Sequence, residues 1–233
     1  MKSVLSPDVL ELFPDFVRGV VIGKGINNRE ENSRLIKMVK EAEKQTAGDE
    51  TLEDIKNHPR INSWRQAYID FGSNPNKFVS SIESLCKRVR KGGQLPYINT
   101  IVSLFNYISL KHIVPSGADD LDRAEGNLRL IRAAGDESFV PFNSDQTEHP
   151  DPGEVIYVDD AAVMCRRWNW RQGNQTMLLP DTTNIAINVD CMPPVGGEEP
   201  EQITGELADL LRELCGGEVS YFLLSAKQNE MEI

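Results

Sequence analysis

The apolar pattern of this chain changes period at Pro115, and that change limits the possible folds more than any other feature. Before it, apolar residues recur three and four apart, the spacing of one helix face. Leu35, Met38, Val39 and Ala42 do so within a charged stretch from Arg29 to Thr46. Ile82, Leu85, Cys86 and Val89 repeat the pattern in "SSIESLCKRVRKGG", as do Ile101, Leu104, Phe105 and Ile108 in "NTIVSLFNYISLKH". After Pro115 come short runs broken by Gly, Asp and Pro: "GNLRLIRAA", "ESFVPF", "GEVIYVDD" and "AAVMCRR". These read as strands. "NIAINVD" alternates, with Ile185, Ile187 and Val189 on one face. A late helix, "PEQITGELADLLRELCGG", turns Ile203, Leu207, Leu210, Leu211 and Leu214 inward and stops at Gly216. An early strand in "FVRGVVIGKGINN" and a late one in "EVSYFLLS" are expected to share a sheet. The predicted class is α/β (α+β), a helix-rich first half packed on a mixed β-sheet.

Local signals refine the helices. "TLEDIKNH" reads as a short helix, and Pro59 suits the first turn of the next, through "INSWRQAYIDF". Ser80 and Glu83 have capping-box spacing. Lys87, Arg88, Arg90 and Lys91 crowd the end of that helix, where cations favour the dipole, and Gly92 and Gly93 end it. Asn106 stands among apolar neighbours on a helix apolar almost all round, and a buried amide must find hydrogen-bond partners. It is either a satisfied structural asparagine or a group aimed at a ligand. "DDLD" (Asp119, Asp120, Asp122) reads as a solvated turn entering a helix, and "NSDQTEHPDPGE" as a loop.

At 233 residues a single domain can bury roughly three-quarters of its unfolded surface. No apolar run approaches the ~20 residues of a membrane span. Asp8, Glu11 and Asp15 interrupt the N-terminal stretch, which is therefore no signal peptide. A soluble, cytoplasmic protein without membrane partners is expected. Cys86, Cys165, Cys191 and Cys215 form no CxxC pair and are expected to be reduced core thiols. His58, His112 and His149 lack metal-ligand spacing, so neither metal nor cofactor is expected. The net charge of −11 argues against a general nucleic-acid binder. It is unevenly spread, however: residues 51–114 carry a net +5 and residues 115–233 a net −15. A local basic surface can still meet phosphates, with salt-sensitive affinity.

No common catalytic motif is present: no GxSxG, HExxH, P-loop or Rossmann glycine pattern. "VIGKGINN" lacks the third glycine of a nucleotide cradle. The unusual stretch is "RRWNWRQGNQTMLLPDTTNIAINVD", residues 166–190. Trp168 and Trp170, two apart, would face the same side of a strand. They could stack on a base or serve as core aromatics. Arg166, Arg167 and Arg171 could reach phosphates or simply be exposed. Thr176 could hold a water or satisfy a strand end.

Residues 63–122, with "LPYIN", "NYIS" and "VPSGADDLD", followed by the Thr-Thr-Asn that enters the last alternating strand, resemble the freestanding B3/B4-domain proteins. These are similar to the editing domain in the β subunit of bacterial phenylalanyl-tRNA synthetase. The resemblance runs from about Phe16 to Leu224, and makes the chain a single B3/B4-like domain over 1–233. It implies a cleft between two parts that takes the 3′ end of a mischarged tRNA. There, water hydrolyses the aminoacyl ester without a nucleophilic side chain. Partners implied are tRNA and an aminoacyl-tRNA synthetase. Asn106 matches an asparagine of the editing pocket, whereas Gly117 stands where a histidine is usual. Asn174, with Gln175 beside it, stands where a glutamate is usual. The resemblance thus implies Asn174, Thr176 and Asn106 as catalytic candidates. Gly117, Gln175, Trp168, Trp170 and Arg167 would bind substrate, and Lys87, Arg88, Arg90 and Lys91 the tRNA backbone. The alternative is a non-catalytic module binding aminoacyl-tRNA, an amino acid or a related metabolite in the same cleft.

Overall fold

The computed structural model describes residues 1–29 and 31–233; Glu30, inside the stretch expected to be helical, lies outside them. The chain opens with strand β1 (Lys2–Leu5) and helix α1 (Pro7–Leu12), both too short to develop a readable period. Strand β2 (Val17–Lys24) and helix α2 (Ser33–Gly48) follow, the latter capped by Asn32, whose side chain accepts from Arg34 N and Leu35 N. "TLEDIKNH" forms two 3-10 turns, Glu50–Leu52 and Ile55–Asn57, rather than a short α-helix. Next come α3 (Pro59–Asp70), α4 (Ser81–Arg90) and α5 (Thr100–His112). The strand-rich half contains β3 (Ser116–Asp120), β4 (Leu128–Arg132), β5 (Val155–Val158), β6 (Val163–Arg166), β7 (Arg171–Gln172) and β8 (Ile185–Cys191). Helix α6 (Glu199–Cys215), β9 (Glu218–Leu224) and β10 (Glu230–Glu232) complete the chain. "ESFVPF" is not a strand: it makes only isolated bridges, Phe139 with Glu148 and Pro141 with Gly173.

There are two sheets. One is antiparallel, in the order β3-β8-β2-β9; the other has six strands, β10-β1-β4-β5-β6-β7, with β1 and β4 parallel. The early and late strands β2 and β9 pair directly. Period-two alternation then divides the core. Val21, Ile185, Ile187 and Val189 face helices α2, α5 and α6 in one cluster. Val20, Ile22 and Ala186, on the opposite face, join Leu128, Leu130 and Val155 of the second sheet in another, closed by α1, α3 and α4. The four-stranded sheet is thus covered on both faces at its centre, so a polar residue on the inner face of β2 or β8 toward Asp190 is carried between the sheets.

Gly19, on the helix side of β2, sets how closely α6 approaches. A Cβ there would lie 1.9 Å from Thr204 Oγ1, and Thr204 is fully buried with its hydroxyl donating to Pro200 O at 2.6 Å. Gly19→Ala is therefore expected to destabilise the fold by about 1–3 kcal/mol, the usual cost of overpacking. Urea denaturation of the two proteins checks this.

Helix α4 forms only half of the expected capping box. Ser80 Oγ accepts from Glu83 N at 3.4 Å, but the Glu83 carboxylate is fully buried and pairs with Arg65 Nη1 at 3.0 Å and Lys87 Nζ at 2.6 Å. Cys86, Cys191 and Cys215 are buried free thiols; burial pushes Cys86 up to about 12 and Cys215 up to about 11. Cys165 is only half-buried, because its residue borders the cavity described next.

Candidate functional site

The inner face of β8 alternates Ala186, Asn188 and Asp190. Because β8 is flanked by β3 and β2 and faced by the second sheet, Asp190 is carried into the interior, where it is 3 % exposed. Register places Arg18 of β2 beside it. Arg18 is 1 % exposed, its Nε lies 3.6 Å from Asp190 Oδ1, and its guanidinium stacks 4.1 Å from the Tyr157 ring centre. Tyr157 Oη donates to the Asp190 carboxylate at 2.7 Å. Burial pushes the Asp190 carboxyl up to about 6 despite Arg18 and Tyr157, which both favour its ionised form.

A second carboxylate lies on β3. Asp119 is buried, and its Oδ1 accepts from Thr176 Oγ1 at 2.6 Å and from Gln172 Nε2 at 2.9 Å. Burial raises its pKa, and these two hydrogen bonds oppose the rise. Asp119 and Asp120 are therefore buried at the end of β3 rather than in a solvated turn, while Asp122 lies exposed in the turn that follows, which does not enter a helix. Asp120 Oδ2 accepts from Thr182 at 2.6 Å, and Asp122 accepts from Asn184 at 2.9 Å. Threonines and amides of residues 172–184 thus clasp the acidic strand end side chain by side chain. Burying carboxylates without such donors would cost several kcal/mol each.

Asp119 and Asp190 both line a cavity of about 500 Å3 between the two sheets. Gly117 and Asn188 form its β3–β8 wall, and Val102 and Phe105 of α5 cover it. Trp168, Asn169, Trp170 and Gln172 close it from the second sheet, and Met177 and Leu178 add an apolar flank. Ile98 and Phe142, 63 % and 46 % exposed, mark its mouth. Two buried donors without a well-formed hydrogen bond, Trp168 Nε1 and Asn169 Nδ2, belong to lining residues. The Trp168 N–H still acts on Asp190, favouring its charged form. Asn169 is held by Tyr68 Oη, which donates to its Oδ1 at 2.9 Å. Chemically, the cavity offers a predominantly apolar wall, two buried carboxylates with Arg18 beside one of them, the Arg171 side chain in its lining, and spare N–H donors.

The structure gathers some of the residues expected from the sequence and separates others. Gly117, Trp168 and Trp170 line the cavity. The tryptophans are not on one face of a strand. They lie in a turn whose Arg167 and Trp168 have positive φ, 45° and 64°, so the side chains diverge. Trp168 is fully buried against Phe13, Phe16 and Trp64, with ring centres 4.8–5.1 Å apart; Trp170 packs on Phe78 at 4.8 Å. Among the described residues that line the cavity, α5 supplies Val102 and Phe105 but not Asn106. Asn174, Gln175 and Thr176 lie beyond the lining: Asn174 N donates to Val140 O, Gln175 Nε2 to Asp159, and Thr176 is fully buried on Asp119.

Arg171 lines the cavity with a side chain 40 % exposed and paired with Glu148 at 3.2 Å, whereas Arg166 and Arg167 are buried and structural. Arg167 is 2 % exposed, over the Phe78 ring at 3.5 Å and paired with Asp151 at 2.6 Å. Of the basic helix end, Lys87 is tied to Glu83, and Arg90 donates to Ala47 O at 2.6 Å. Arg88 and Lys91 are exposed. Sequence reasoning missed Asp119, Asp190, Asn188, Gln172 and Asn169. Among the described residues, no group of three or more His, Cys, Asp or Glu is placed to hold a metal ion. No helix among the described residues is long and apolar enough to cross a membrane.

An α/β fold of two facing sheets with a carboxylate-floored cavity between them defines the class. The family model for the B3/4 domain matches residues 63–216, and the chain belongs to that family. It is 29 % identical over 92 residues to the phenylalanine–tRNA ligase β subunit of Mycoplasma genitalium, covering 40 % of this chain and 11 % of that one. It is 28 % identical over 118 residues to the β subunit of Fusobacterium nucleatum, covering 51 % and 14 %. The chain therefore spans only a small part of these relatives' length. A solved N-terminal fragment of the phenylalanyl-tRNA synthetase β subunit from Pyrococcus horikoshii superposes with a TM-score of 0.46 at 12 % identity, over 93 % of this chain and 49 % of that one.

Proposed function

We propose that the cavity receives the aminoacylated 3′ end of a tRNA and that the protein hydrolyses a mischarged ester in trans. The observation that carries this reading is the pair of buried carboxylates, Asp119 and Asp190, under an apolar wall in a cavity of about 500 Å3. Such a site suits an aminoacyl group: ammonium toward the carboxylates, side chain toward Val102, Phe105 and Met177. A carboxyl titrating at about 6 is matched to general-base work near neutral pH. Water would attack the ester carbonyl carbon as its proton passes to Asp190. The spare Asn169 N–H would steady the developing oxyanion, and the ribose oxygen would leave with the proton returned. Ser81, the first residue of α4, lines the cavity. Arg88 and Lys91 lie ~10–15 Å further along that helix at 1.5 Å per residue, where they can meet the tRNA backbone.

The test is a panel of mischarged tRNAs followed for ester loss. Hydrolysis of at least one pair well above a buffer control is expected, with Asn106→Ala and Asn174→Ala within about threefold of the parent, since both lie outside the cavity lining. No hydrolysis of any pair would remove the enzymatic reading.

A second reading, binding without hydrolysis, is favoured by one observation. Both Asp190 oxygens already accept from Tyr157, and Asp119 Oδ1 from two donors, which draws down their basicity. Calorimetric binding of amino acids without ester loss in the panel would establish it.

A further inference from the structure

Gly117 is a glycine in the middle of a strand, where glycine is unfavourable because it loses the most backbone freedom and packs no side chain. Such a residue is retained where a turn, a strained backbone or a close neighbour demands it. None of these applies. Gly117 does not have a positive φ, and a Cβ built on it meets nothing within 4 Å. The contrast with other strand glycines is sharp. At Gly19 a Cβ would strike Thr204 Oγ1 at 1.9 Å, and at Gly23 it would meet Ile26 Cγ2 at 3.0 Å.

The open space at Gly117 belongs to the cavity. Register pairs Gly117 with Asn188 and Asp119 with Ala186, so Gly117 and Asp119 share the inner face of β3 with the lining face of β8. Ala118, on the other face, packs in the helix-side cluster. A side chain at 117 would therefore project into the cavity beside Asn188, facing Phe105 and Val102 on the neighbouring helix. The same walls are apolar, and Pro115, Met177 and Leu178 extend them.

We infer that Gly117 is the specificity-determining position of the cavity: its missing side chain leaves room for a large, mainly apolar acyl side chain, and filling it restricts the site to small ones. The inference rests on the reading of the cavity as an aminoacyl site. It adds which end of the size range the site accepts and which residue sets that limit. Gly117 acts sterically and touches the bound side chain; it moves no proton.

The experiment uses the full chain with alanine, valine, leucine and phenylalanine esters of tRNA, and calorimetry with the four corresponding amino-acid amides. The parent is expected to prefer the larger side chains. Gly117→Ala should reduce hydrolysis and binding of the largest by severalfold. Gly117→Leu should reduce them at least tenfold while leaving the alanine compounds within threefold, consistent with tenfold or more per misfitted methylene in a tight pocket. Thermal melting controls for folding, and Gly117→Ala should not melt below the parent, since a Cβ at 117 meets nothing within 4 Å. Equal losses across the size series, no loss at all, or a parent preference for the smallest side chain would overturn the inference while leaving an active aminoacyl site standing. A parent that neither hydrolyses nor binds any member overturns the aminoacyl site itself and the size limit with it.

Discussion

Glu154→Ala is expected to destabilise the protein by about 3–5 kcal/mol, the cost of leaving buried charge uncompensated. Glu154 is 1 % exposed and serves two buried arginines at once. Its carboxylate accepts from Arg166 Nε at 3.0 Å, Arg166 Nη2 at 2.9 Å and the backbone N–H of Arg167 at 2.9 Å, and lies 3.4 Å from Arg167 Nη2. Arg166 and Arg167 are 6 % and 2 % exposed, and each would keep one carboxylate nearer solvent, Glu148 at 3.1 Å and Asp151 at 2.6 Å, while the buried side of each guanidinium loses its partner. The consequence extends further, because Arg167 and Trp168 adopt positive φ in this turn, an unfavourable backbone for side chains of this size. The Glu154 contacts and the Trp168 N–H bond to Val155 O at 2.6 Å hold that backbone in place. At this chain length such a loss lowers the melting temperature by roughly 10 °C. Glu213→Ala provides the contrast. Its partner is Arg34, and both side chains are more than half exposed, so the expected change is below about 1 kcal/mol. Thermal and urea denaturation of the three proteins decide the matter. A Glu154 effect as small as the Glu213 effect would mean that Glu148 and Asp151 alone compensate the two arginines.

The longer helices were readable because each buries a stripe, α2, α5 and α6 in the cluster on one face of the four-stranded sheet and α3 and α4 in the cluster between the sheets, and a stripe leaves a period in the sequence. Residues 185–191 were readable for the same reason at period two, but only the isoleucine and valine face was recognised as core. The opposite face, with Asn188 and Asp190, is equally interior, because β8 is a central strand with the second sheet beyond it. Its polar residues carry the signature of a solvated face while lining a cavity. The acidic run at 119–122 misled similarly. Its burial depends on Thr176 and Thr182, 57 and 62 residues further along, which no local pattern announces. Glu154 has no sequence signal at all, since a lone glutamate after a glycine looks like loop until two arginines arrive through β5–β6 pairing. Strands β1 and β10, of four and three residues, are shorter than any period they could display. The aromatic and amide-rich stretch 166–184 stood out correctly as unusual. Its residues partly build the wall and clasp the acidic strand, and residues 168–172 with Met177 and Leu178 reach the cavity.

Asp190→Asn is expected to make the protein more stable at neutral pH and less able to act. The folded carboxyl titrates at about 6, against 3.8 for an ordinary aspartate, because burial disfavours its charge. Below pH ~4 the group is protonated in folded and unfolded chains alike and contributes no penalty. As pH rises from 4 through 6, the unfolded chain ionises first, so the folded state loses stability. Above pH ~6 both forms are ionised and the loss levels off at about 3 kcal/mol, at ~1.4 kcal/mol per pKa unit. The asparagine variant has no such titration. Arg18 faces an uncharged neighbour in the variant at every pH, and in the parent at pH 4 as well. The two proteins should therefore be nearly equal in stability at pH 4, and the variant ahead by about 3 kcal/mol at pH 7. Urea denaturation across pH 4–8 gives the difference directly, and a pH-independent difference would mean that burial does not raise the Asp190 carboxyl above its unfolded value. A destabilising charge held in a ligand-sized cavity is expected where the charge has work to do. If that work is accepting a proton from water, the parent's deacylation rate should rise with pH through about 6, and the asparagine variant should lose about a hundredfold, the lower end of general-base contributions. A stabilised variant that keeps full hydrolysis would separate the two effects, leaving Asp190 an ammonium-facing charge and moving the search for the base to Asp119, the other buried carboxylate of the same cavity.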